Sequence, residues 1–194
     1  MRRSITVLAL ILALLPGRAV LGADRYTIDP VHCHIGFSVR HLVINNIRGR
    51  FTDYAGSIVY DEQDITKSSV EVVIKVESIN TDFKARDEHL RTADFFDAAK
   101  FPEITFKSTR VEKRNGGLAA VGNFTMHGVT KEITLPFKIN GKSNFQGEMH
   151  LGLEAAITID RRDFGMSWSA TLDSGGLVVG NDVTIELNIE ATRK

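Results

Sequence analysis

A single cysteine, Cys33, stands in 194 residues, so the chain cannot close a disulfide on itself and its stability must come from packing. Neither charge sign is in excess: 24 Lys and Arg face 24 Asp and Glu. A nucleic-acid binder needs a basic patch, and the balance gives none. Long apolar runs are also missing. The longest runs from Ile5 to Leu15, eleven residues, whereas a spanning helix needs about 20. Catalytic signatures are absent as well. Asp87, Glu88 and His89 adjoin without the HExxH spacing of a zinc protease, and there is no GxSxG elbow. Gly141-Lys142-Ser143 imitates the end of a phosphate-binding loop, but Pro136 stands where the loop's first glycine belongs.

What is present begins with an address. Arg2 and Arg3 precede the apolar run, Pro16-Gly17 ends it, and Gly22-Ala23 supplies small residues. This is the layout of a cleaved secretory leader, predicted over residues 1–23, with the protein delivered to the periplasm or secreted. Loss of Arg2, Arg3 and Arg18 leaves 21 basic against 24 acidic residues, a formal charge of −3. Residues 24–194 are then one domain, long enough to bury about 70% of its unfolded surface.

The domain alternates. Cys33, Ile35, Phe37, Val39 and His41 share one parity, as do Val70, Val72, Ile74 and Val76. So do Met149, Leu151, Leu153, Ala155, Ile157 and Ile159, and later Val183, Ile185, Leu187 and Ile189. Turn signals fall at Asn115-Gly116-Gly117, His127-Gly128 and Asn140-Gly141, and Pro136 on a polar parity predicts an edge or a bulge. The count is about eight strands, each with one apolar and one wet face. A sandwich or a closed barrel buries such a face. Eight antiparallel strands on short turns favour the up-and-down barrel, which also removes exposed edges. An interior of that size holds packed side chains or one small ligand.

One segment refuses to alternate. From Asp82 to Ala93, Phe83, Arg86, Leu90 and Ala93 recur at helical steps, and Phe95-Phe96 follows between Asp94 and Asp97. This predicts a short helix over 82–93, a lid on one barrel mouth. Among polar candidates, His32 and His34 share one strand face while Cys33 points to the other, too few ligands for zinc. Arg161-Arg162-Asp163 reads either as an anion site or as a charged loop with a local ion pair. Phe95, Phe96, Phe101, Phe106, Phe124, Phe137, Phe164, Met166 and Trp168 are either a filled core or the lining of a cavity, and parity does not separate the two.

Six ordered motifs carry a resemblance over Tyr26 to Glu190. They start with Tyr26-Thr27-Ile28-Asp29-Pro30-Val31-His32 and Ile35-Gly36-Phe37-Ser38-Val39-Arg40-His41-Leu42. His89-Leu90-Arg91-Thr92-Ala93-Asp94-Phe95-Phe96-Asp97 and Phe101-Pro102-Glu103-Ile104-Thr105-Phe106 follow. Met126-His127-Gly128-Val129-Thr130-Lys131 and Ile159-Asp160-Arg161-Arg162-Asp163-Phe164-Gly165-Met166-Ser167-Trp168 complete them. With these the chain resembles the YceI family of exported, lipocalin-like polyisoprenoid-binding proteins. Cys33, where the family usually has Ser, and the loop Val43 to Ile47 depart from the pattern.

The resemblance implies an all-β fold with one short helix: an eight-stranded antiparallel lipocalin-like barrel around an apolar tunnel. It implies a homodimer, transient membrane contact and no catalytic residue, cofactor or metal. The expected activity is non-catalytic binding, storage or transport of a long-chain lipid, a polyisoprenoid or fatty-acid derivative, in the cell envelope. A stress-related interaction protein and a hydrolase of lipid headgroups are the alternatives. The residues assigned to the ligand are Phe37, Val39, His41, Leu42, Phe51, Ile74, Leu90, Phe95, Phe96, Phe106, Phe124, Phe164, Met166 and Trp168. His41, Arg162, Asp163 and Asn181 are assigned to its headgroup.

Overall fold

The computed structural model describes residues 22–193 apart from 172 and 174, so residues 1–21 of the predicted leader lie outside the described residues. Eleven strand segments and one helix follow in order. They are β1 (Asp24–Ile28), β2 (His34–His41), β3 (Asn45–Phe51), β4 (Tyr54–Tyr60), β5 (Ser69–Lys75), β6 (Ile79–Asn80), α1 (Lys84–Arg91), β7 (Glu103–Arg114), β8 (Gly117–Met126), β9 (Val129–Phe145), β10 (Glu148–Asp160) and β11 (Val179–Arg193).

Eleven segments make eight long strands because three are interrupted. β1 and β2 both pair with β11, broken by a turn at Pro30 where Asp29 accepts from the Val31 amide. β3 and β4 pair with β2 and β1 in turn, and β6 and β5 pair with β3 and β4. All pairings are antiparallel, and β1 meets β11 through Thr27–Thr192 and Ile28–Ala191. The sheet therefore closes on itself as the predicted barrel, and its order follows the chain as a meander.

The hairpin turns obey backbone sterics with one exception. Asn115-Gly116, His127-Gly128 and Gln146-Gly147 each have positive φ at both residues, with Gly second. That is the chemistry a two-residue hairpin wants. The three-residue β2–β3 loop between His41 and Asn45 also has positive φ at two residues, 52° at Leu42 and 65° at Val43, with no glycine at all. A left-handed L-residue costs roughly 1–2 kcal/mol, and a β-branched one is a true outlier.

The turn predicted at Asn140-Gly141 is not there. Gly152 faces Gly141 and Leu153 faces Ile139, which leaves Asn140 as a bulge inside β9. Gly141, at φ 148°, takes up the extra residue, and the chain reverses at Gln146-Gly147. Pro136 does mark an edge. The β9–β10 ladder runs from Phe145–Glu148 to Phe137–Ala155 and stops beside it, as a residue without an N–H requires. Beyond that point β9 pairs only with β8, and β10 only with β11. The end of this seam is bridged by the turn Arg161–Phe164 that follows β10. There Lys131 binds Asp163 at 2.8 Å, His127 Nδ1 donates to the Phe164 carbonyl at 2.9 Å, and Phe164 meets Phe124 edge-on at 5.4 Å.

α1 is shorter than the predicted 82–93, and its buried residue is a carboxylate. Phe83 is the N-cap and lies exposed beneath Arg86, while Asp87 is buried. Asp87 Oδ1 accepts from the Thr81 amide at 2.8 Å and from its hydroxyl at 2.5 Å. Arg91 donates to the carbonyls of Glu77 and Ile79. Polar side chains thus strap the helix over one barrel end, here the lid end. At the far end sits a turn at Ile65–Lys67, its start capped by Asp64 accepting from the Thr66 amide.

Candidate functional site

One wall of the barrel is packed and the other is not. Ile104, Phe106, Val111, Ala120, Phe124 and Met126 on β7 and β8 are buried. Ile133, Leu135, Leu153, Ala155, Ile157, Ile185 and Leu187 on β9 to β11 also point inward, yet each stays partly exposed. An inward side chain with accessible surface borders a void. That void is a cavity of about 240 Å³ bordered by 38 residues from both walls and both ends. So modest a volume spread over so many residues is long and narrow. It reaches from Val39, Phe96 and Arg161 at the lid end to Tyr60, Ile65 and Ser68 at the far end.

Ten residues expected at the ligand border this lumen: Phe37, Val39, Phe51, Ile74, Leu90, Phe95, Phe96, Phe106, Phe124 and Met166. Four lie outside it. Phe164 plugs the seam against Phe124, and Trp168 packs on Phe95 and His89, both at 5.0 Å. His41 and Leu42 belong to the β2–β3 arm beyond the rim, where Leu42 donates its amide to the Val178 carbonyl. The Phe95-Phe96 doublet divides its labour. Both rings border the lumen, but Phe95 is buried against Trp168, whereas Phe96 is half-buried and meets Phe51 edge-on at 5.9 Å.

Three of the four expected headgroup residues, Arg162, Asp163 and Asn181, are engaged with neighbours outside that set. Arg162 forks onto Asp160 with contacts of 2.5 to 3.1 Å and holds that carboxyl at about 2. Asp163 is taken by Lys131, and Asn181 accepts from Arg161 at 3.3 Å. Among the described residues the charged group that borders the lumen is not Arg162, which the sequence reading assigns to the headgroup, but the neighbouring Arg161. It is 3% exposed and donates to the carbonyls of Gly180, Met166 and Val179. Among the described residues no carboxylate touches it, although the charge of Asp160 acts on it from farther off, and burial pulls its pKa down from the ordinary 12.5. A guanidinium remains charged even so, so a cation without a direct ion-pair partner among the described residues sits at the lid end of an apolar tube. The signal for it was parity: Ile157, Ile159 and Arg161 share the inward side of β10 and its extension.

The expectation that His32 and His34 share one strand face fails, because β2 begins at His34 and leaves His32 and Cys33 in the turn before it. Cys33 Sγ donates to the Glu190 carbonyl and accepts from its amide, and burial pushes the thiol up from its ordinary value. A raised thiol is a poor nucleophile. His32 pairs with Asp29 at 2.6 Å. The hydrogen bond raises His32 from its ordinary 6.5 and lowers Asp29 from 3.8. The imidazole's contribution is complete below pH 6.5 and is lost as pH rises through its raised value. The carboxylate's contribution is present above 3.8 and is lost as pH falls through its lowered value. Stability from this exposed pair is therefore greatest between the two. A small decline of the melting temperature above pH 6.5 is expected in the wild type, and it should vanish in His32→Asn. An equal decline in both would assign it elsewhere.

Known proteins now bear on the chain. The model of the YceI-like domain matches residues 26–191. A UPF0312 protein of Serratia proteamaculans is 38% identical over 183 residues, 93% of this chain and 92% of its own. Another, from Yersinia enterocolitica, is 36% identical over 178 residues, covering 91% and 90%. Among solved structures, the Campylobacter jejuni YceI protein has a TM-score of 0.67 at 28% identity, covering 96% of this chain and 99% of its own. A polyisoprenoid binding domain from Saccharophagus degradans, implicated in plant cell wall breakdown, shares the fold with a TM-score of 0.63 at 15% identity, covering 87% and 98%. With its motifs, its closed barrel and these relatives in agreement, the chain belongs to the YceI-like family.

Proposed function

We propose that this chain is a non-catalytic carrier of a long-chain amphiphilic lipid, a polyisoprenoid or fatty-acid derivative, in the cell envelope. The observation that carries the reading is the set of inward apolar side chains on β9, β10 and β11 that remain accessible along one continuous tube. Each buried methylene is worth roughly 0.8 kcal/mol, so one five-carbon isoprene unit contributes about 4 kcal/mol against water. Against a bilayer the gain nearly cancels, since the tail is already dry there. Tail length then sets capacity, and the polar end of the lipid sets selectivity. Arg161 at the lid end favours an anionic headgroup, phosphate or carboxylate, because such a group would supply the direct ion-pair partner it lacks among the described residues.

The polyisoprenoid named for the Saccharophagus domain supports the long-tail class. The hydrolase alternative is disfavoured. Among the described residues the polar side chains bordering the lumen are Tyr60, Ser68, Ser69 and Arg161, with no His or carboxylate to act as base. The test is organic extraction of the purified protein followed by lipid mass spectrometry. An anionic lipid with a long tail, at near one per chain, is expected. A protein that comes empty and fails to take up added polyprenyl phosphate or fatty acid would sink the reading.

A further inference from the structure

The strained β2–β3 turn spends conformational energy on apolar side chains that stay exposed among the described residues. Val43 is 57% exposed and Ile44 80%, and Leu177 on the neighbouring loop is 37% exposed. The Leu42 amide bonds to the Val178 carbonyl at 2.9 Å, which ties that loop to the tip. The three two-residue hairpin turns carry Gly second, whereas the three-residue β2–β3 loop also turns through positive φ at two residues and has no Gly. Strain kept at an exposed site points to a use for the site.

The arm also has a charge. Arg40 and Arg48 are exposed on β2 and β3, and Ser38 and Arg48 are cross-strand partners. Among the described residues neither arginine has a carboxylate partner, whereas Arg50 farther back binds Asp82 at 3.6 Å. Position matters as much. His41 of the arm pairs with Val179, a lumen residue, and Val39 two residues before it borders the lumen too. The tip therefore stands at the lid end, beside Arg161.

We propose that Val43, Ile44 and Leu177 insert into the interfacial layer of an anionic lipid bilayer, with Arg40 and Arg48 on the headgroups, so that the lid end faces the membrane. The proposal rests on the carrier reading for its purpose but not for its geometry. A bilayer fits better than a protein partner. Three side chains on a narrow tip fall far short of the roughly 1,000 Å² that a specific protein interface needs, while shallow insertion plus cationic flanks is enough for reversible membrane binding.

The test is co-sedimentation of the full mature chain with vesicles of phosphatidylglycerol and phosphatidylcholine, against phosphatidylcholine alone. Preference for the anionic vesicles is expected, and added salt should weaken it. Val43→Gly/Ile44→Thr should bind about tenfold more weakly. The same variant should melt higher, because Gly relieves the turn. That opposite response separates lost docking from lost folding. Wild type that stays in the supernatant, or a variant that binds as well as wild type, overturns the proposal. Lipid extraction of both proteins keeps the two readings apart. Tip-dependent vesicle binding by a protein that never holds lipid would sustain docking and defeat the carrier reading. Bound lipid without vesicle binding would do the reverse.

Discussion

Ala155→Trp is expected to empty the barrel without unfolding it. Ala155 lies on the inward parity of β10 between Phe137 and Leu187 and is only half-buried because the lumen runs past it. Overpacking a filled core costs about 1–3 kcal/mol, but an indole placed here enters existing void. It also closes the tube midway, where a continuous tail must pass. Lipid per chain, read by native mass spectrometry, should fall more than about tenfold, the factor that 1.4 kcal/mol of lost affinity produces. The melting temperature should move by only a few degrees. Ala156→Trp is the control, since the next residue points outward and is exposed. Unchanged lipid in Ala155→Trp would mean that the lumen is not where lipid resides.

The second large effect is a split between neighbours. Phe95→Ala removes a buried ring from its contacts with Trp168 and His89, so a stability loss of about 3–5 kcal/mol is expected. In a domain of this size that lowers the melting temperature by roughly 10 °C. Phe96→Ala removes a half-buried ring that faces the lumen and touches Phe51. It should cost less stability and release lipid faster. Thermal melts with lipid retention during dialysis would show the split. Equal retention in Phe96→Ala and wild type, with a large thermal loss, would make that ring plain core.

The barrel could be read because its cause is local. Period-2 alternation at Val70 to Val76, Met149 to Ile159 and Val183 to Ile189 fixes which side chains turn inward, and closure is then the way to bury them. The lumen was harder. Parity places Leu151 and Leu153 on the same side of β10, yet one is fully buried away from the lumen and the other borders it, since that depends on what stands across the barrel. The bulge at Asn140 was misread as a turn because Asn-Gly has the same local preference in both. Arg161 and Arg162 are adjacent and chemically identical. What separates them is that one follows the inward parity of β10 while the other finds Asp160 two residues back.

The ring is completed by its first and last strands, through Thr27–Thr192 and Ile28–Ala191. No fragment that ends before residue 191 can make that joint. Until β11 is available, β1, β2 and β10 each lack the neighbour that the finished sheet gives them. A growing or refolding chain thus carries unpaired strand edges over most of its length, and the contact that removes them spans more than 160 residues. Such late, non-local closure makes for slow folding and a long exposure to edge-to-edge aggregation. The same topology that encloses a lumen in the native state makes the final fifteen-residue strand the decisive step in reaching it.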